Sequence, residues 1–302
     1  MLTFHDRGNR VRKLILGCGY LGLRVAARWV ADGDTVFAVT RSSERACEFQ
    51  GKGVLPIVGD ILDPHTLGDF PDVDIVLFAV GYDRRSGHSI GQVYVDGLRN
   101  VLQHLPRGIK RLIYVSSTGV YGQADHAWVD EQSPCEPSRE GGRACRQAEL
   151  LLQSHPLSQR VVILRMAGIY GPGRIPRQKE LQAGLPITAA SEGYLNLIHV
   201  DDAATTVIAA EKLACLPSLY CVSDGHPVVR REYFRELAAL LDAADPTFRP
   251  PPAGSHAADR ARASKRVDSR RMLAELRVDL RYPSYREGLA AIVHASVPSK
   301  RK

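Results

Sequence analysis

Hydrophobic residues in the first 170 positions recur in two alternating patterns. Short apolar runs rich in β-branched residues, as strands have, lie at 11–16, 35–39, 53–58, 74–80, 111–116 and 160–166. Between them, segments such as 21–29, 93–105 and 143–153 place apolar residues three or four positions apart, as amphipathic helices do. Strands that alternate with helices predict repeated βα units and therefore an α/β fold built on a doubly wound parallel sheet.

The alternation weakens after residue 171, where glycine, proline and arginine interrupt it. Helical spacing returns at 231–241 and 285–293. The segment 246–265 between them is too rich in proline, alanine and charge to form a core of its own, so we expect either a mobile cover over a substrate cleft or a disordered surface loop. The pattern predicts a larger domain over 1–170, to which 194–213 returns, and a smaller domain over 171–302.

A glycine-rich turn links the first predicted strand to the first predicted helix. Residues 17–22 read GCGYLG, a G-x-G-x-x-G motif with glycines at Gly17, Gly19 and Gly22. The first glycine permits a tight turn, the second lets the backbone approach a pyrophosphate, and the third lets helix and strand pack closely. The N–H groups and the positive end of the helix dipole then face the phosphates. This context favours dinucleotide binding over a purely steric turn.

The end of the second strand indicates which dinucleotide is bound. An NAD-binding protein commonly presents an acid there, whereas this chain reads AVTRSSER, with Arg41 followed by Ser42. A guanidinium flanked by hydroxyls can pair bidentately with a 2′-phosphate, so NADP is predicted, with NAD as the second candidate. The alternative is that Arg41 is a surface residue at a helix start. Asp60, after the third strand, either accepts from the adenine amino group or caps the turn before Pro64.

Composition narrows the class of partner. The formal net charge is +7 and the pI is about 9.2, but no basic stripe interleaved with aromatic residues is visible, so we expect a small-molecule substrate and no nucleic acid. The six cysteines lack CxxC spacing, which favours free thiols in a reducing, cytoplasmic compartment. No apolar run approaches the roughly 18 residues of a membrane span. We therefore expect no membrane partner and no metal, with the protein a monomer or a homodimer.

Polar residues in the second half of the chain have two competing interpretations each. His199, Asp201 and Asp202 superficially resemble a metal site, but their spacing more simply places one aspartate at the N-cap of a helix over 203–212, after a segment 196–200 that returns to the sheet. Isolated basic residues commonly only solvate a surface, yet some could bind substrate phosphates or acidic groups. The candidates for that role are Arg174, Arg177, Lys265 and Arg266.

Further motifs point to a known family. The chain reads VSSTGVYG at 115–122, LRMAGIYGPGR at 164–174, NLIHVDDAA at 196–204 and YPSYREGL at 282–289. Together with the glycine turn, these motifs make the chain resemble the extended short-chain dehydrogenase/reductases, and most of all the NAD-dependent epimerase/dehydratase family. The resemblance implies a Rossmann domain that binds NAD(P), a smaller substrate domain, and an oxidoreductase or epimerase that acts on a sugar nucleotide or a similar carbonyl or hydroxyl substrate.

The resemblance also assigns roles to residues. It places the adenine-contacting acid on Asp60 and the catalytic serine or threonine on Ser117. In this family a tyrosine exchanges a proton with the reacting oxygen, the serine hydrogen-bonds that oxygen, and a lysine four positions after the tyrosine lowers its pKa and holds the ribose. The predicted cofactor residues are Gly17, Gly19, Tyr20, Leu21, Gly22, Arg41, Ser42, Asp60, Ile61, Ala79, Val80, Gly81 and Ser116.

The tyrosine and the lysine of that pair are missing. The family helix usually ends in an acidic residue, placed here at Glu149, and counting back puts Gly141 at the tyrosine position and Cys145 at the lysine position. Glycine has no proton to give, and a thiol cannot supply the positive charge of lysine. The glycine motif also differs from the G-x-x-G-x-x-G that extended members often have. Both departures resemble an atypical branch of the family.

Three hypotheses account for the missing pair. In the first, an NADP-dependent oxidoreductase or epimerase uses Tyr121, or else Tyr170, as proton donor, with a pKa lowered by a nearby arginine such as Arg143 or Arg165. Alternatively, both tyrosines only pack on the nicotinamide or on the substrate. In the second, the chain is a non-catalytic NADP-binding sensor or scaffold. In the third, neighbouring arginines activate Cys145 in a thiol enzyme.

Overall fold

A central sheet organises the chain in the computed structural model, which describes residues 10–255, 258 and 264–296. The described strands are β1 (Arg12–Leu16), β2 (Thr35–Thr40), β3 (Leu55–Val58), β4 (Ile75–Phe78), β5 (Arg111–Ser117), β6 (Trp128–Val129), β7 (Val161–Met166), β8 (Gly168–Tyr170), β9 (Ile187–Thr188), β10 (Tyr194–Leu195), β11 (Leu197–His199), β12 (Ser218–Val222), β13 (Val228–Val229), β14 (Phe248–Arg249) and β15 (Arg266–Val267). Seven of them form one sheet in the order β12, β7, β5, β4, β1, β2, β3. The pairings of β1 with β2 and β4, of β2 with β3, and of β4 with β5 are parallel. This order confirms the predicted doubly wound α/β fold.

Helices alternate with these strands through the first half of the chain. The described α-helices are α1 (Gly22–Ala31), α2 (Ser43–Gln50), α3 (Gly97–His104), α4 (Glu140–Ser154), α5 (Gln178–Gln182), α6 (Val200–Ala210), α7 (Arg230–Leu240), α8 (Arg270–Leu276) and α9 (Tyr285–Ser296). The predicted helix over 93–105 is divided, because 92–96 is π-helical and α3 follows it. Among the described helices, none combines the length and the apolar character needed to cross a membrane.

The chain folds as two compact units. Unit 1 comprises the described residues of Met1–Val115 together with Gln147–Ile163 and Ala210–Ser218. Unit 2 comprises Ser116–Arg146, Leu164–Ala209 and the described residues of Leu219–Lys302. The chain passes from one unit to the other inside β5, α4, β7, α6 and β12. The predicted domains, 1–170 with 194–213 and 171–302, are drawn differently and stay a prediction.

The core of unit 1 follows from the continuous apolar runs of its strands. Leu14, Ile15 and Leu16 in β1 are fully buried, which is typical of a central parallel strand covered on both faces. Val25 and Trp29, four positions apart on α1, are also fully buried. This spacing is that of one helix face packed onto the core. The core therefore fixes β1 and α1 firmly on both sides of the glycine turn.

Unit 2 has an aromatic core of its own. Tyr233 and Phe234 on α7 pack against neighbouring rings, with Tyr285 5.5 Å from Tyr233 between ring centroids. The buried residues of this cluster are Tyr170, Leu181, Ile187, Leu197, Val228, Tyr233, Phe234, Leu237, Ala238, Tyr285, Leu289 and Ile292. They come from elements between β8 and α9, so the predicted helices at 231–241 and 285–293 are confirmed as core-forming elements.

The start of α6 corrects the interpretation of the His199 cluster. The helix spans Val200–Ala210, so Asp201 and Asp202 lie in its first turn and neither is the N-cap. The buried Asp202 carboxylate accepts from the backbone N–H groups of Arg281 at 2.8 Å and Tyr282 at 3.0 Å. β11 pairs with β8 and not with the seven-stranded sheet, which also differs from the prediction. Among the described residues, no three His, Cys, Asp or Glu side chains could hold a metal ion.

The predicted cover at 246–265 is described only in part. Within it, β14 pairs in parallel with β9, so this stretch is tied to unit 2. Residues 256, 257 and 259–263 lie outside the described residues. Whether this part of the segment is a cover or a surface loop therefore stays a prediction. Ser264 and Lys265 are described, and both are buried.

Candidate cofactor and active site

The glycine turn has the close contacts that a dinucleotide cradle requires. Gly17 has φ +88°, and a Cβ atom built on it would lie 2.5 Å from backbone atoms of Ala79 and Val80. A Cβ on Gly22 would lie 2.5 Å from the Gly17 carbonyl oxygen. A Cβ on Gly19, by contrast, meets no atom of the described residues within 4 Å, its own chain neighbours apart. The first and third glycines therefore serve packing, whereas the second leaves its backbone open to an approaching group.

The start of α1 adds a favourable potential to this open backbone. The helix begins at Gly22, so the positive end of its dipole lies at the turn. The N–H of Gly19 donates to the Gly17 carbonyl at 2.8 Å, which fixes the shape of the turn. The residues present therefore fit the pyrophosphate of a dinucleotide, both in the space at Gly19 and in electrostatic sign.

Two arginines that the sequence prediction did not include also contact the glycine turn. Arg24 donates to the Tyr20 carbonyl at 2.8 Å, and its guanidinium carbon lies 4.5 Å from the centroid of the Tyr20 ring. Arg45 donates to the Cys18 carbonyl at 2.9 Å. The signal for Arg45 was its position four residues after Arg41, in the first turn of α2. The two arginines therefore place positive charge beside the glycine turn.

The end of β2 brings Arg41 and Asp60 together. The Arg41 Nη1 atom lies 3.9 Å from Asp60 Oδ2, and the Arg41 side chain is 58% exposed. Asp60 also accepts from the Leu62 backbone N–H at 2.9 Å, so its carboxylate shapes the turn after β3. Ser42 is the N-cap of α2, where its hydroxyl accepts from the Arg45 backbone N–H at 3.2 Å.

The loop after β4 completes the group of predicted cofactor residues in unit 1. Ala79 donates its backbone N–H to the Leu16 carbonyl at 2.8 Å, and this bond carries the β1–β4 pairing on into the loop. Among the residues that the structure describes, a Cβ on Gly81 would meet only its chain neighbours within 4 Å, so the backbone there is also open. Ile61 is held by Asn100, whose side-chain amide donates to the Ile61 carbonyl at 2.9 Å. The structure thus places the backbone of Ala79 and Val80 against Gly17.

Ser116 and Ser117 end β5 in unit 2. Ser116 is buried, and Ser117 caps a 3-10 turn over Thr118–Val120, where its hydroxyl accepts from the Gly119 backbone N–H at 3.0 Å. This bond uses a lone pair of the Ser117 oxygen and leaves the hydroxyl hydrogen to rotate toward an acceptor. Ser117 can therefore hold its oxygen in place and still donate to a substrate oxygen.

The start of α4 packs directly onto the turn that follows Ser117. A Cβ built on Gly142 would lie 2.1 Å from the Gly119 carbonyl oxygen, so only glycine fits there. Gly141, where the family tyrosine would stand, is the preceding residue. Cys145, at the lysine position, is 4% exposed. The helix that would carry the missing pair is thus beside Ser117, and neither position offers a proton donor with a supporting positive charge.

Tyr121 is buried in a dense set of contacts. Its hydroxyl donates to the Asp130 carbonyl at 2.7 Å, accepts from Arg165 Nη1 at 2.7 Å, and lies 3.0 Å from Cys221 Sγ. Burial is the largest influence and raises the pKa of Tyr121 well above its usual range, although Arg165 acts in the opposite direction. The expected lowering of this pKa is therefore not observed, and the role of Tyr121 as proton donor stays a prediction.

Tyr170 has a similar environment. It is fully buried, and its hydroxyl lies 3.5 Å from the Ser284 carbonyl. Burial raises the pKa of Tyr170, and a Cβ on Gly288 would lie 2.0 Å from its hydroxyl oxygen. Tyr170 thus forms part of the unit 2 core, and its predicted role at the nicotinamide or the substrate stays a prediction. The pKa of Cys221 is also raised, to about 12 and mainly by burial, which makes it an unreactive thiol.

Lys265 is a buried amine beside Tyr121. It is 6% exposed, and Nζ donates to the Tyr121 carbonyl at 2.6 Å. Burial, with a contribution from Arg139, lowers the pKa of Lys265 to about 8.

The other basic candidates have other contacts. Arg177 pairs with Glu180 at 2.6 Å, and Arg266 donates to the His126 carbonyl at 2.8 Å. The contact of Lys265 with Tyr121 spans 144 positions, so no local pattern could have shown it.

Comparisons with known proteins agree with this geometry. Residues 14–213 match the NAD dependent epimerase/dehydratase family. The chain is 29% identical over 280 residues to protein YeeZ of Escherichia coli (strain K12), which covers 89% of this chain and 95% of the relative. It is 30% identical over 247 residues to 2-alkyl-3-oxoalkanoate reductase of Stenotrophomonas maltophilia (strain K279a), which covers 75% of this chain and 74% of the relative.

A solved structure supports the same fold. The Bordetella bronchiseptica enzyme WbmG in complex with NAD and UDP superposes with a TM-score of 0.77, covering 95% of this chain and 94% of that chain at 19% identity. Because the family match covers most of the chain, the chain belongs to the NAD-dependent epimerase/dehydratase family of NAD(P)-binding enzymes.

Proposed function

We propose that this chain is an NADP-dependent oxidoreductase that acts on a carbonyl or hydroxyl group of a sugar nucleotide or a comparable small molecule. The observation that carries the proposal is the glycine turn, where packing requires Gly17 and Gly22 but leaves Gly19 open. When bound, the nicotinamide cofactor supplies or accepts the hydride of the reaction. The residues proposed to hold it are Gly17, Gly19, Tyr20, Leu21, Gly22, Arg41, Ser42, Asp60, Ile61, Ala79, Val80, Gly81 and Ser116.

The preference for NADP rests on charge at the end of β2. No acid stands beside Arg41 in the chain, and its exposed guanidinium is 3.9 Å from Asp60, a loose pair that leaves donors for a 2′-phosphate. Arg45 contributes a second positive charge where its guanidinium meets the Cys18 carbonyl. A dianionic phosphate gains more from two guanidinium groups than an uncharged ribose hydroxyl does. NADP is therefore the proposed cofactor.

The substrate side of the proposal starts from Ser117. Its hydroxyl is oriented by the bond from Gly119 and is proposed to hydrogen-bond the reacting oxygen. Tyr121 is proposed to hold the loop beside it, through the bonds of its hydroxyl with Asp130 and Arg165. The likeness to a 2-alkyl-3-oxoalkanoate reductase favours reduction of a carbonyl group as the reaction.

A second candidate function is a non-catalytic NADP-binding sensor or scaffold. The observation in its favour is that Gly141 and Cys145 occupy the positions of the family tyrosine and lysine, beside the Ser117 turn. The two candidates differ in turnover, because both bind the cofactor but only the oxidoreductase consumes it.

The test follows oxidation of NADPH and NADH by the purified protein with a panel of 2-alkyl-3-oxoalkanoates, UDP-sugars and small ketones. We expect turnover with at least one carbonyl compound and a preference for NADPH. Arg41→Ala should reduce that preference about 10- to 100-fold, the equivalent of a lost hydrogen bond to a charged group. Arg99→Ala, which removes another exposed arginine of unit 1 that pairs with an acid, should leave it unchanged. Cofactor binding without turnover on any compound would favour the sensor.

A further inference from the structure

Asp224 is a buried carboxyl that the proposed function does not use. It follows β12 and is 2% exposed, and its backbone N–H donates to the Leu197 carbonyl at 2.8 Å. Oδ1 accepts from the His226 N–H at 2.9 Å, whereas Oδ2 has no hydrogen-bond partner in the described part of the chain. A buried carboxylate with an unsatisfied oxygen is costly to charge, so this position favours the neutral carboxyl.

The first turn of α9 lies against this carboxyl. The Tyr285 backbone N–H acts on Asp224, which places the start of α9 beside it. Tyr170 adjoins both: after burial, Asp224 is the next influence that raises the pKa of Tyr170, and a Cβ built on Gly288 would collide with the Tyr170 hydroxyl. The start of α9 is therefore part of what shields the Asp224 carboxyl from water.

A second buried carboxyl grips the chain just before α9. Asp202 is 1% exposed, and its oxygens accept from the backbone N–H groups of Arg281 at 2.8 Å and Tyr282 at 3.0 Å. Both oxygens are thus satisfied in the charged form, unlike those of Asp224. The chain is anchored at 281–282, and α9 can turn away from Asp224 about this anchor. Because α9 is the last described element, this movement breaks no described strand pairing.

The helix can move as a unit because its N-terminal cap lies within it. The Ser284 backbone N–H and hydroxyl both donate to the Glu287 carboxylate, at 2.9 and 2.6 Å, as in a capping box. What holds α9 down is its apolar face, with Leu289 fully buried and the Tyr285 ring 5.5 Å from that of Tyr233. Docking of α9 is therefore a balance between apolar burial, which favours it, and the cost of a charged Asp224, which opposes it.

Titratable groups near Asp224 come from several elements and differ in sign. Burial is the largest influence and raises the pKa of Asp224 to about 7. The charge of His226 acts in the opposite direction, and Glu287 adds to the rise. The groups that act on the adjoining Tyr170 from α6, α7 and α9 are Asp202, Tyr233 and Glu287. The positive end of the α9 dipole favours the charged carboxylate but is outweighed by burial.

We propose that α9 is a pH-sensitive latch of unit 2, docked over Asp224 when that carboxyl is neutral and released far more often when it is ionised. The geometric basis is the unpaired Oδ2, the first turn of α9 beside it and the anchor of the chain at 281–282. The inference does not depend on the proposed function, because it concerns a movement of α9 within unit 2.

The sign of the pH effect follows from the two environments of the carboxyl. With α9 docked, the pKa of Asp224 is about 7, and with α9 released the carboxyl is in water, with a pKa near the ordinary 3.8. Ionisation therefore favours release. The equilibrium constant for release should rise about tenfold per pH unit between these two values and become constant above about pH 8. From pH 5 to pH 8 the total rise should be about 100-fold.

Amide hydrogen exchange of the full chain between pH 5 and pH 8, corrected for the intrinsic exchange rates, measures this opening. In the wild type, protection of the amides at 289–293 in α9 should fall about 100-fold, and at pH 8 they should exchange faster than those at 234–240 in α7. Asp224→Asn, which keeps the acceptor for the His226 N–H but carries no charge, should make the protection of α9 independent of pH.

The matched control is Asp242→Asn. Asp242 is exposed and has φ +52°, a conformation that asparagine also adopts readily. This variant should show the wild-type pH dependence in α9. Melting temperatures of both variants verify that they are folded under the conditions of the exchange experiment.

Three results would overturn the latch. The first is wild-type protection in α9 that does not change with pH. The second is exchange of α9 and α7 amides at the same rate at every pH, which would mean that unit 2 opens as a whole. The third is an Asp224→Asn variant that keeps the wild-type pH dependence, which would assign it to another group. The first two use the wild-type protein alone, so the test stands even where Asp224→Asn folds poorly.

Discussion

Two buried lysines, one in each unit, are held in opposite ways. Lys13 in β1 is 2% exposed, and its ammonium lies 2.7 Å from Asp34 and 2.9 Å from Glu211. Lys265 is 6% exposed and donates to a single backbone carbonyl. Burying an ammonium is costly unless an opposite charge accompanies it. The charge of Lys13 is compensated, and in the described part of the chain the charge of Lys265 is not.

The comparison separates a charged side chain that stabilises the fold from one whose burial destabilises it. The Lys13 group also includes Trp29, whose indole N–H donates to Glu211 at 2.7 Å, so the whole arrangement ties β1 to α1 and to the segment after α6. An ion pair of this kind stabilises the fold. An uncompensated buried amine costs stability, and proteins commonly retain such a group where its chemistry is used. Unit 1 therefore uses its lysine to support the cradle, whereas unit 2 retains its lysine at a cost in stability.

The largest expected effect is at Lys13. Lys13→Met should lower the free energy of unfolding by about 3–5 kcal/mol, because it leaves the partly buried Asp34 and Glu211 carboxylates without the ammonium that they share. Urea denaturation at pH 7 measures the change. Lys110→Met, at an exposed pair with Asp74, should change it by less than about 1 kcal/mol. Equal effects of the two substitutions would remove the distinction between compensated and exposed lysines.

The next effect is at Asp224, the second uncompensated charge of unit 2. Asp224 is 2% exposed, Oδ1 accepts from the His226 N–H, and Oδ2 has no hydrogen-bond partner among the described residues. Burial raises the pKa of Asp224 to about 7. The folded state therefore binds the proton more tightly than the unfolded state, and the wild type loses stability as pH rises from about 4 to 7. Asp224→Asn should be more stable than wild type by about 2–4 kcal/mol at pH 8.

The pH dependence makes the Asp224 prediction specific. Below pH 4 the carboxyl is neutral in both the folded and the unfolded state, so the gain from Asp224→Asn should shrink toward zero as pH falls. Denaturation curves at pH 8 and at the lowest pH where the protein stays folded measure this. A gain that is the same at both pH values would mean that the charge of Asp224 is not its cause.

The smallest effect in this series is at Lys265, and its sign is opposite to that at Lys13. The pKa of Lys265 is about 8 in the folded protein, below that of an unfolded lysine, so the buried charge destabilises the fold at pH 7 and the cost disappears as pH rises toward 10.5. Lys265→Met should raise the free energy of unfolding by about 2 kcal/mol at pH 7, after the loss of one hydrogen bond is subtracted. A variant less stable than wild type at pH 7 would contradict the comparison.

The fold and the cradle were predictable because their signals are local. Apolar runs, helical spacing and the order Gly17, Gly19, Gly22 each lie within a few residues, and each reports a requirement of the backbone. The π-helical start of the helix over 93–105 and the early start of α6 were not predictable, because tertiary packing decides where helices begin. The prediction for Arg41 and Asp60 remains untested, although the structure brings their side chains within 3.9 Å.

The chemistry of unit 2 was not predictable, because it depends on contacts across the chain. The environment of Tyr121 is set by Arg165 and Cys221, 44 and 100 positions away, and by burial that the motif VYG does not reveal. Lys265 meets Tyr121 across 144 positions, from a segment whose composition suggested only a loop. Contacts across such distances in sequence carry no local motif, so only the folded arrangement shows them.

The most direct test of the account is calorimetric titration of NADPH into wild-type protein and two glycine variants. In the described part of the chain, a Cβ at Gly19 and one at Gly108 both meet nothing within 4 Å beyond their chain neighbours, so Gly19→Ala and Gly108→Ala should fold equally well. The account predicts that wild type and Gly108→Ala bind NADPH alike and more tightly than NADH, whereas Gly19→Ala loses at least about tenfold in affinity, or about 1.4 kcal/mol. Correctly folded wild-type protein that binds neither dinucleotide at about millimolar concentration would contradict it.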